Sequence, residues 1–359
     1  MANPAGRVTD RLVGVNLTLP TVDDLPPGWT PRAPGAEDVG AITGLVAAHK
    51  RMVRGKASVD EDTIAASVTG VGSWTRRQVV LDDPSGRLAA WAYVHDRAAG
   101  RTMLDVIVAP GIAGADDVAE VLYDWVEATA AEVADLRGLE ETQLDALVYA
   151  DDERQHRWLA AAGYDMTRTY LNMTRSVDDG ESLPEPREGV RVRRVAKHDD
   201  ALPVAQDLQI VHQMLEESFA DHFNSYRESF PEFVQRLRED PGHRWDHWWI
   251  AEVELDGEWE PGGALVSSVL PPDDDGRRGS YVDYIGVHRR ARGRGVAKAL
   301  LHTVIRDARQ RGRTSVDLEV DADSPTGADG LYLSMGWTTA YVTESWHSAA
   351  IPGKITASS

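Results

Sequence analysis

The stretch that decides the reading is Val287-His288-Arg289-Arg290-Ala291-Arg292-Gly293-Arg294-Gly295-Val296-Ala297. An apolar run of strand character, 281–287, precedes it, and an amphipathic segment, 296–310, follows. A strand thus feeds a tight turn that opens a helix. Gly293 and Gly295 let the backbone pass close to a ligand, and the first helical turn offers free N–H groups and the positive end of the dipole. Arg289, Arg290, Arg292 and Arg294 crowd the same turn, in a chain of formal net charge −20. Together these features predict a pyrophosphate site. A glycine pair alone would equally suit a turn with solvated arginines; the strand before and the helix after carry the argument.

The stretch is not a Walker loop, because no Gly-Lys-Ser/Thr follows. It is not a dinucleotide fingerprint either, because Lys298 stands where the third glycine belongs. It resembles the acyl-CoA pyrophosphate motif of the GNAT superfamily of N-acyltransferases, Gln/Arg-x-x-Gly-x-Gly/Ala, read here as Arg290-Ala291-Arg292-Gly293-Arg294-Gly295. Downstream, Gly312 can stop the helix, and 315–320 alternates polar and apolar residues as a strand does. The family's Asn-x-x-Ala-x-x-Leu-Tyr-x-x-x-Gly-Phe is then matched at Ala328, Leu331, Tyr332, Gly336 and Trp337. Ser324 replaces the asparagine, one residue further from Ala328, and this departure puts the asparagine's contact to the cofactor in doubt. The resemblance covers roughly the second half of the chain.

At 359 residues the chain has room for two domains. No long apolar run suggests a transmembrane helix, and Met1 to Asp10 lacks the apolar core of a signal peptide. A soluble cytoplasmic protein is expected. The absence of cysteine excludes disulfides, thiolate metal sites and a cysteine nucleophile. The acidic balance argues against a nucleic-acid partner and suits a cationic acceptor, although solubility alone would also explain it.

A polar, acidic, proline-bearing stretch, 178–188, reads as a linker between a first domain, 1–177, and a second, 189–359. The same order of elements recurs on both sides. Hairpins at 78–81/88–94 and 248–255/263–270 are followed by strands at 103–108 and 281–287, then by helices. Gly163-Tyr164 and Gly336-Trp337 each precede a last strand. The layout is similar to that of mycothiol synthases. It implies an α/β (α+β) fold of two tandem GNAT domains, each a mixed, mostly antiparallel twisted sheet flanked by helices. The first copy is degenerate. Its loop, Ala109-Pro110-Gly111-Ile112-Ala113-Gly114-Ala115-Asp116-Asp117, has no arginine, and its aspartates oppose a phosphate at the helix start. Leu159 occupies the place of Tyr332. A fused pair of this kind replaces a homodimer, so a monomer, or at most a weak homodimer, is expected.

The resemblance implies acetyl-CoA (coenzyme A) as cosubstrate and no metal. Pantetheine would lie in a V-shaped opening beside 281–287 and pair with backbone at Ile285 and Val287, the Val287 N–H reaching the thioester carbonyl. Gly286 would supply the β-bulge that splits the strands. Backbone N–H groups from Arg292 through Gly293, Arg294 and Gly295 to Val296 would cradle the pyrophosphate. Arg290 would add charge, and Ser324 and Ala328 would close the far side. Tyr332 is the general acid in much of the family, against a plain core tyrosine here. Asp283 stands first as base, directly or through a water, on the face it shares with Ile285. Glu319 and Asp317 share a face of the next strand. Asp221 and His222 end an amphipathic helix, 208–220, in the region that covers the acceptor. Singly, each of these charges would as readily be a solvated surface group. His243-Arg244-Trp245-Asp246-His247 is expected to be a loop without a third metal ligand, and Asp273-Asp274-Asp275 a hairpin tip. The resulting expectation is an N-acetyltransferase that acts on a small-molecule amine by direct attack in a ternary complex. A protein or peptide N-acetyltransferase, or a non-catalytic acyl-CoA-binding or sensory module, is the alternative.

Overall fold

The computed structural model describes residues 18–97, 101–199, 202–219, 229–273, 276–324 and 327–353. The first half runs β1 (Thr30–Arg32), α1 (Val39–Arg54), α2 (Glu61–Val68), β2 (Arg76–Asp82), β3 (Leu88–Asp96), β4 (Arg101–Val108), α3 (Ala115–Arg137), β5 (Glu141–Tyr149), α4 (Glu153–Ala161) and β6 (Asp165–Ser176). The second runs β7 (Val190–Arg194), α5 (Ala205–Phe219), α6 (Phe230–Arg238), β8 (His243–Leu255), β9 (Glu258–Val269), β10 (Ser280–Val287), α7 (Val296–Gln310), β11 (Ser315–Asp321), α8 (Ala328–Ser334) and β12 (Thr338–His347), with a short β13 (Ile351–Pro352). The order of strands and α-helices through β12 repeats that of the first half. Local chemistry explains the elements that matter most. In α7, Val296, Ala299, Leu300, Val304 and Ala308 recur at helical spacing and are buried. In β11, buried Val316, Leu318 and Val320 alternate with Asp317 and Glu319.

Within each half the sheet is mostly antiparallel; the parallel pairs are β4–β5 and β10–β11. The two sheets are not separate. The strand order is β1-β2-β3-β4-β5-β12-β6-β11-β10-β9-β8-β7, with β13 on β5. Each half therefore gives its last strand to the other. β6 pairs with β11 from Ser176↔Ser315 to Tyr170↔Asp321, and β12 pairs with β5 from Thr343↔Tyr149 to His347↔Asp145. The packing follows the exchange: Met173 of β6 is buried in the second half's core, and Trp346 of β12 packs on the first half's core.

The 178–188 segment is strapped along α7. Arg309 Nη1 donates to the Glu181 carbonyl at 2.7 Å, and Arg306 donates to the Leu183 and Pro184 carbonyls. Leu183 packs against the second core. Among the described residues no helix is long and apolar enough to cross a membrane.

Candidate active site

The parallel pairing of β10 with β11 holds only where Ser280, Tyr281 and Val282 face Val316, Asp317 and Leu318. Beyond Val282 the ladder stops, while β10 continues on β9. The break coincides with a bulge: Val282 faces Ser267 and Tyr284 faces Val266, so Asp283 is the extra residue. The bulge was expected at Gly286. Gly286 instead keeps its register opposite Ala264, and its missing side chain serves α5, because a Cβ there would come 2.8 Å from the Ser218 Cβ. One inserted residue flips the faces of the strand. Val282, Ile285 and Val287 pack on the α7 side, whereas Tyr281, Asp283 and Tyr284 line cavities on the other side. Asp283 therefore does not share a face with Ile285, as strict alternation had suggested. The His288 N–H donates to the Gly262 carbonyl on β9 at 3.0 Å. By alternation, the N–H groups of Val287 and Ile285 point away from β9 into the opening.

At the loop, His288 is 5% exposed, accepts the Arg290 N–H at 3.3 Å, and lies 2.8 Å from Glu217 on α5. Gly293 and Gly295 adopt φ of 79° and 88°, and Gly295 caps α7 without a side chain. No acidic residue lies in the first turn of α7. Arg289, Arg290, Arg292 and Arg294 are exposed; Arg290 pairs with Glu260 at 3.2 Å, and Arg294 reaches the Glu254 carbonyl at 3.3 Å. The strapped segment adds a fifth arginine that the sequence did not point to. The stem of Arg187 lies over Gly295, where a Cβ would be 3.0 Å from its Cδ. Ser324 sits in the turn between β11 and α8, its N–H donating to the Asp321 carbonyl at 3.2 Å. Ala328 opens α8 and packs partly into the core.

Tyr332 is 6% exposed and stands edge-on to Trp337 at 5.9 Å. Burial pushes its phenol up to about 12, so it keeps its proton at neutral pH. Among the described residues its hydroxyl has no hydrogen-bond partner, unlike a core tyrosine, which ordinarily finds one.

A cavity of about 520 Å³ lies between the halves. The first half contributes His49, Lys50, Asp105 and Tyr149; the second contributes Tyr281, Asp283 and Glu319. A neighbouring cavity shares Asp240, Asp283 and Glu319. Burial, helped by Asp240, pushes Asp283 up to about 8 against the opposing hydrogen bond from Ser268 at 3.2 Å. Burial also raises Glu319, although Asn172 and Thr343 each donate to it at 3.2 Å. Asp105 is pushed up to about 6, again by burial. Glu319 and Asp317 do share a face, opposite Asn172 and Thr174 of the exchanged β6. Tyr332 belongs to the core on the α7 side of the sheet, whereas Asp283 lines the cavities on the other side. Asp221 and His222 fall outside the described residues, as do Asp274 and Asp275. The 243–247 segment, expected to be a loop, begins β8 instead, with an irregular register between His243 and Trp248. His247 is committed to Asp246 and Arg313. Among the described residues no group of His, Asp and Glu is arranged to hold a metal.

In the first half the corresponding space is filled from within. Gln155 of α4 donates to the Val106 carbonyl on β4 at 2.7 Å and accepts from the Tyr123 hydroxyl at 3.0 Å. Counted from Gly163 and Gly336, Gln155 occupies the place of Ala328 and buried Leu159 that of Tyr332. Asp116, at the start of α3, accepts from the Trp158 indole at 2.7 Å.

Part of the sequence and the fold as a whole are similar to known proteins. The family described as Acetyltransferase (GNAT) family matches residues 211–337. N-acetyltransferase 8B of Rattus norvegicus is 38% identical over 89 residues, covering 25% of this chain and 38% of that protein. N-acetyltransferase 8 of the same species is 41% identical over 87 residues, covering 23% and 39%. The chain thus spans less than half the length of these curated relatives. A GCN5-related N-acetyltransferase from Sphaerobacter thermophilus superposes with a TM-score of 0.73 at 24% identity, covering 91% of this chain and 97% of that one. A tandem GNAT protein from the clavulanic acid biosynthesis pathway does so with 0.63 at 15% identity, covering 90% and 98%. At these identities the structural likeness is one of fold. Residues 211–337, which hold the Arg/Gly loop, the opening and Tyr332, match the GNAT acetyltransferase family.

Proposed function

We propose that the protein is an acetyl-CoA-dependent N-acetyltransferase that acylates a small-molecule amine directly, in a ternary complex. The observation that carries this reading is the contrast between the halves. Both helix starts are glycine-capped, but α3 carries Asp116 and Asp117 in its first turn, where α7 has no acidic residue and is ringed by arginines. The second half also keeps an open strand pair and, among the described residues, an unpartnered Tyr332 hydroxyl. The first has Gln155 in the opening and Leu159 in place of the tyrosine. Ala328 leaves open the space that Gln155 occupies in the first half. One acetyl-CoA per chain follows.

In this reading the phosphates sit at the start of α7 among Arg187, Arg290, Arg292 and Arg294. The pantetheine pairs with the backbone at Ile285 and Val287. The amine enters from the cavity between the halves, where Asp283 takes its proton directly or through a water and Glu319 lines the approach. The new C–N bond forms while the Val287 N–H holds the acyl oxygen. The C–S bond breaks, and Tyr332 gives its proton to the leaving sulfur. A cavity walled by both halves favours a small acceptor over a protein side chain. With Asp283 raised to about 8, its carboxylate fraction grows with pH. Turnover is therefore expected to climb through pH 8, and Asp283→Asn to abolish that limb; an unchanged pH profile in the variant would remove Asp283 as the base.

The acid is tested by Tyr332→Phe, followed as acetyl-CoA consumption with a panel of amines. A positioned general acid is worth about 10²–10⁴-fold. Turnover should fall roughly a hundredfold or more with acetyl-CoA affinity unchanged, since the phenol acts only on the leaving group. Near wild-type turnover would return Tyr332 to the core. No turnover by the wild type with any amine, despite acetyl-CoA binding, would favour a binding module.

A further inference from the structure

The first half does more than line the cavity; it holds a piece of the second half in place. Glu239 follows the last residue of α6, and its carboxylate reaches across to the first half. Thr75 Oγ1 donates to it at 3.0 Å, Arg76 Nη1 at 2.8 Å, and His95 Nε2 lies 3.4 Å away. The Glu239 side chain is only 8% exposed. Burial opposes its charge, but the hydrogen bonds from His95 and Arg76 outweigh it and hold the carboxyl down at about 2. Burial keeps His95 down at about 4, so its neutral imidazole can donate Nε2–H. Arg76 is itself anchored on the Gly72 carbonyl at 2.6 Å, and a Cβ on Gly72 would come 2.8 Å from its Nη1.

The next residue is Asp240, which lines both cavities with Asp283. Its carboxylate accepts the Gly242 N–H at 2.7 Å, so the turn entering β8 is fixed to it. The groups that share cavities with Asp283 are Asp240 beyond α6, Arg236 on α6, His243 on β8, Ser268 on β9, Glu319 on β11, and Tyr281 and Tyr284 on its own strand. Across the larger cavity stand His49 and Lys50 on α1, Asp105 on β4, Tyr149 on β5 and Tyr341 on β12. Of the neighbouring charges, Asp240 acts most strongly on Asp283. We propose that Glu239 is a positioning residue: the first half grips it through Thr75, Arg76 and His95, and that grip fixes Asp240 beside Asp283 at the wall of the acceptor cavity. Its effect on turnover rests on the acyltransferase reading, but its effect on Asp283 does not.

The test follows the Asp283 carboxyl by ¹³C NMR titration in the full-length protein, its signal assigned by loss in Asp283→Asn. Glu239→Gln removes charge and grip together. Glu239→Asp keeps the charge but draws the carboxylate one methylene away from Arg76 and His95. If position is what matters, both variants lower the Asp283 midpoint by about one pH unit as Asp240 is released. The acid limb of turnover then moves with it, and acetyl-CoA affinity does not change. A wild-type midpoint in Glu239→Asp, with a shift only in Glu239→Gln, would leave a charge effect and overturn the proposal, as would a shift in neither. Should the Glu239 variants not fold, Thr75→Val removes one donor at constant volume. It should shift the midpoint in the same direction by less, and a wild-type midpoint there overturns the proposal. A midpoint that shifts as expected in a protein without turnover would count against the acyltransferase reading and leave the positioning role standing.

Discussion

A chain cut to residues 189–359 is expected to be insoluble or unfolded, whereas one cut to 165–359 is expected to fold. The difference is β6 together with the segment strapped along α7 behind it. Without β6, β11 loses its partner along the whole register from Ser315 to Asp321 and becomes an open edge. Asp317 and Glu319 lose Thr174 and Asn172, the latter Glu319's cross-strand donor. Met173 leaves the core, and Arg175 leaves the Trp337 ring and the Met335 carbonyl. A buried methionine is worth about 1.5–3 kcal/mol and a net hydrogen bond about 0.5–1.5 kcal/mol. The sum over this strand approaches the roughly 5–15 kcal/mol that holds a domain together. The longer fragment restores β6 but lacks the first-half wall of the cavity, so it should fold and show reduced activity. Circular dichroism and thermal unfolding of the two fragments decide the matter: a cooperative 189–359 as stable as 165–359 would mean that the exchange contributes little.

The exchange was not legible in the sequence, and the reason is physical. Alternation says which residues of 165–176 face inward, but nothing in it says which neighbouring strand they join. The same limit explains the bulge. Gly286 satisfies every local criterion for one, yet the extra residue is Asp283, because the position depends on how β9 and α5 meet β10. What the sequence did carry was local. The start of α7 at Val296, the glycines at positive φ before it and the arginines around them are properties of one short stretch. The repeat was also legible, because order along the chain survives divergence. The partners that complete the site were not. Arg187 sits in a stretch whose composition reads as a plain linker, Gln155 in a helix with nothing unusual about it, and Glu239 finds its three donors far away in the chain.

Gly295→Asp is expected to abolish acetyl-CoA binding while leaving the fold intact. At φ 88° an L-residue pays a penalty of roughly 1–2 kcal/mol, and a Cβ there would press on the Arg187 stem at 3.0 Å. The carboxylate would then occupy the helix terminus at which a pyrophosphate would bind, and it would repel one. For the empty protein the same charge is mildly favourable, by about 0.3–1 kcal/mol with the helix dipole, so unfolding is not expected. The first half already presents this arrangement, with Asp116 and Asp117 in the first turn of α3. Gly295→Ala separates the contributions: it carries the strain and the contact with Arg187 but no charge, so its loss should be intermediate. Calorimetry on the full chain should give one site for the wild type, a weakened site for Gly295→Ala and no detectable heat for Gly295→Asp, with melting temperatures close together. Unchanged affinity in Gly295→Asp would mean that the cofactor's phosphates do not lie on α7. Two wild-type sites of similar affinity would mean that the first half binds as well, despite Gln155.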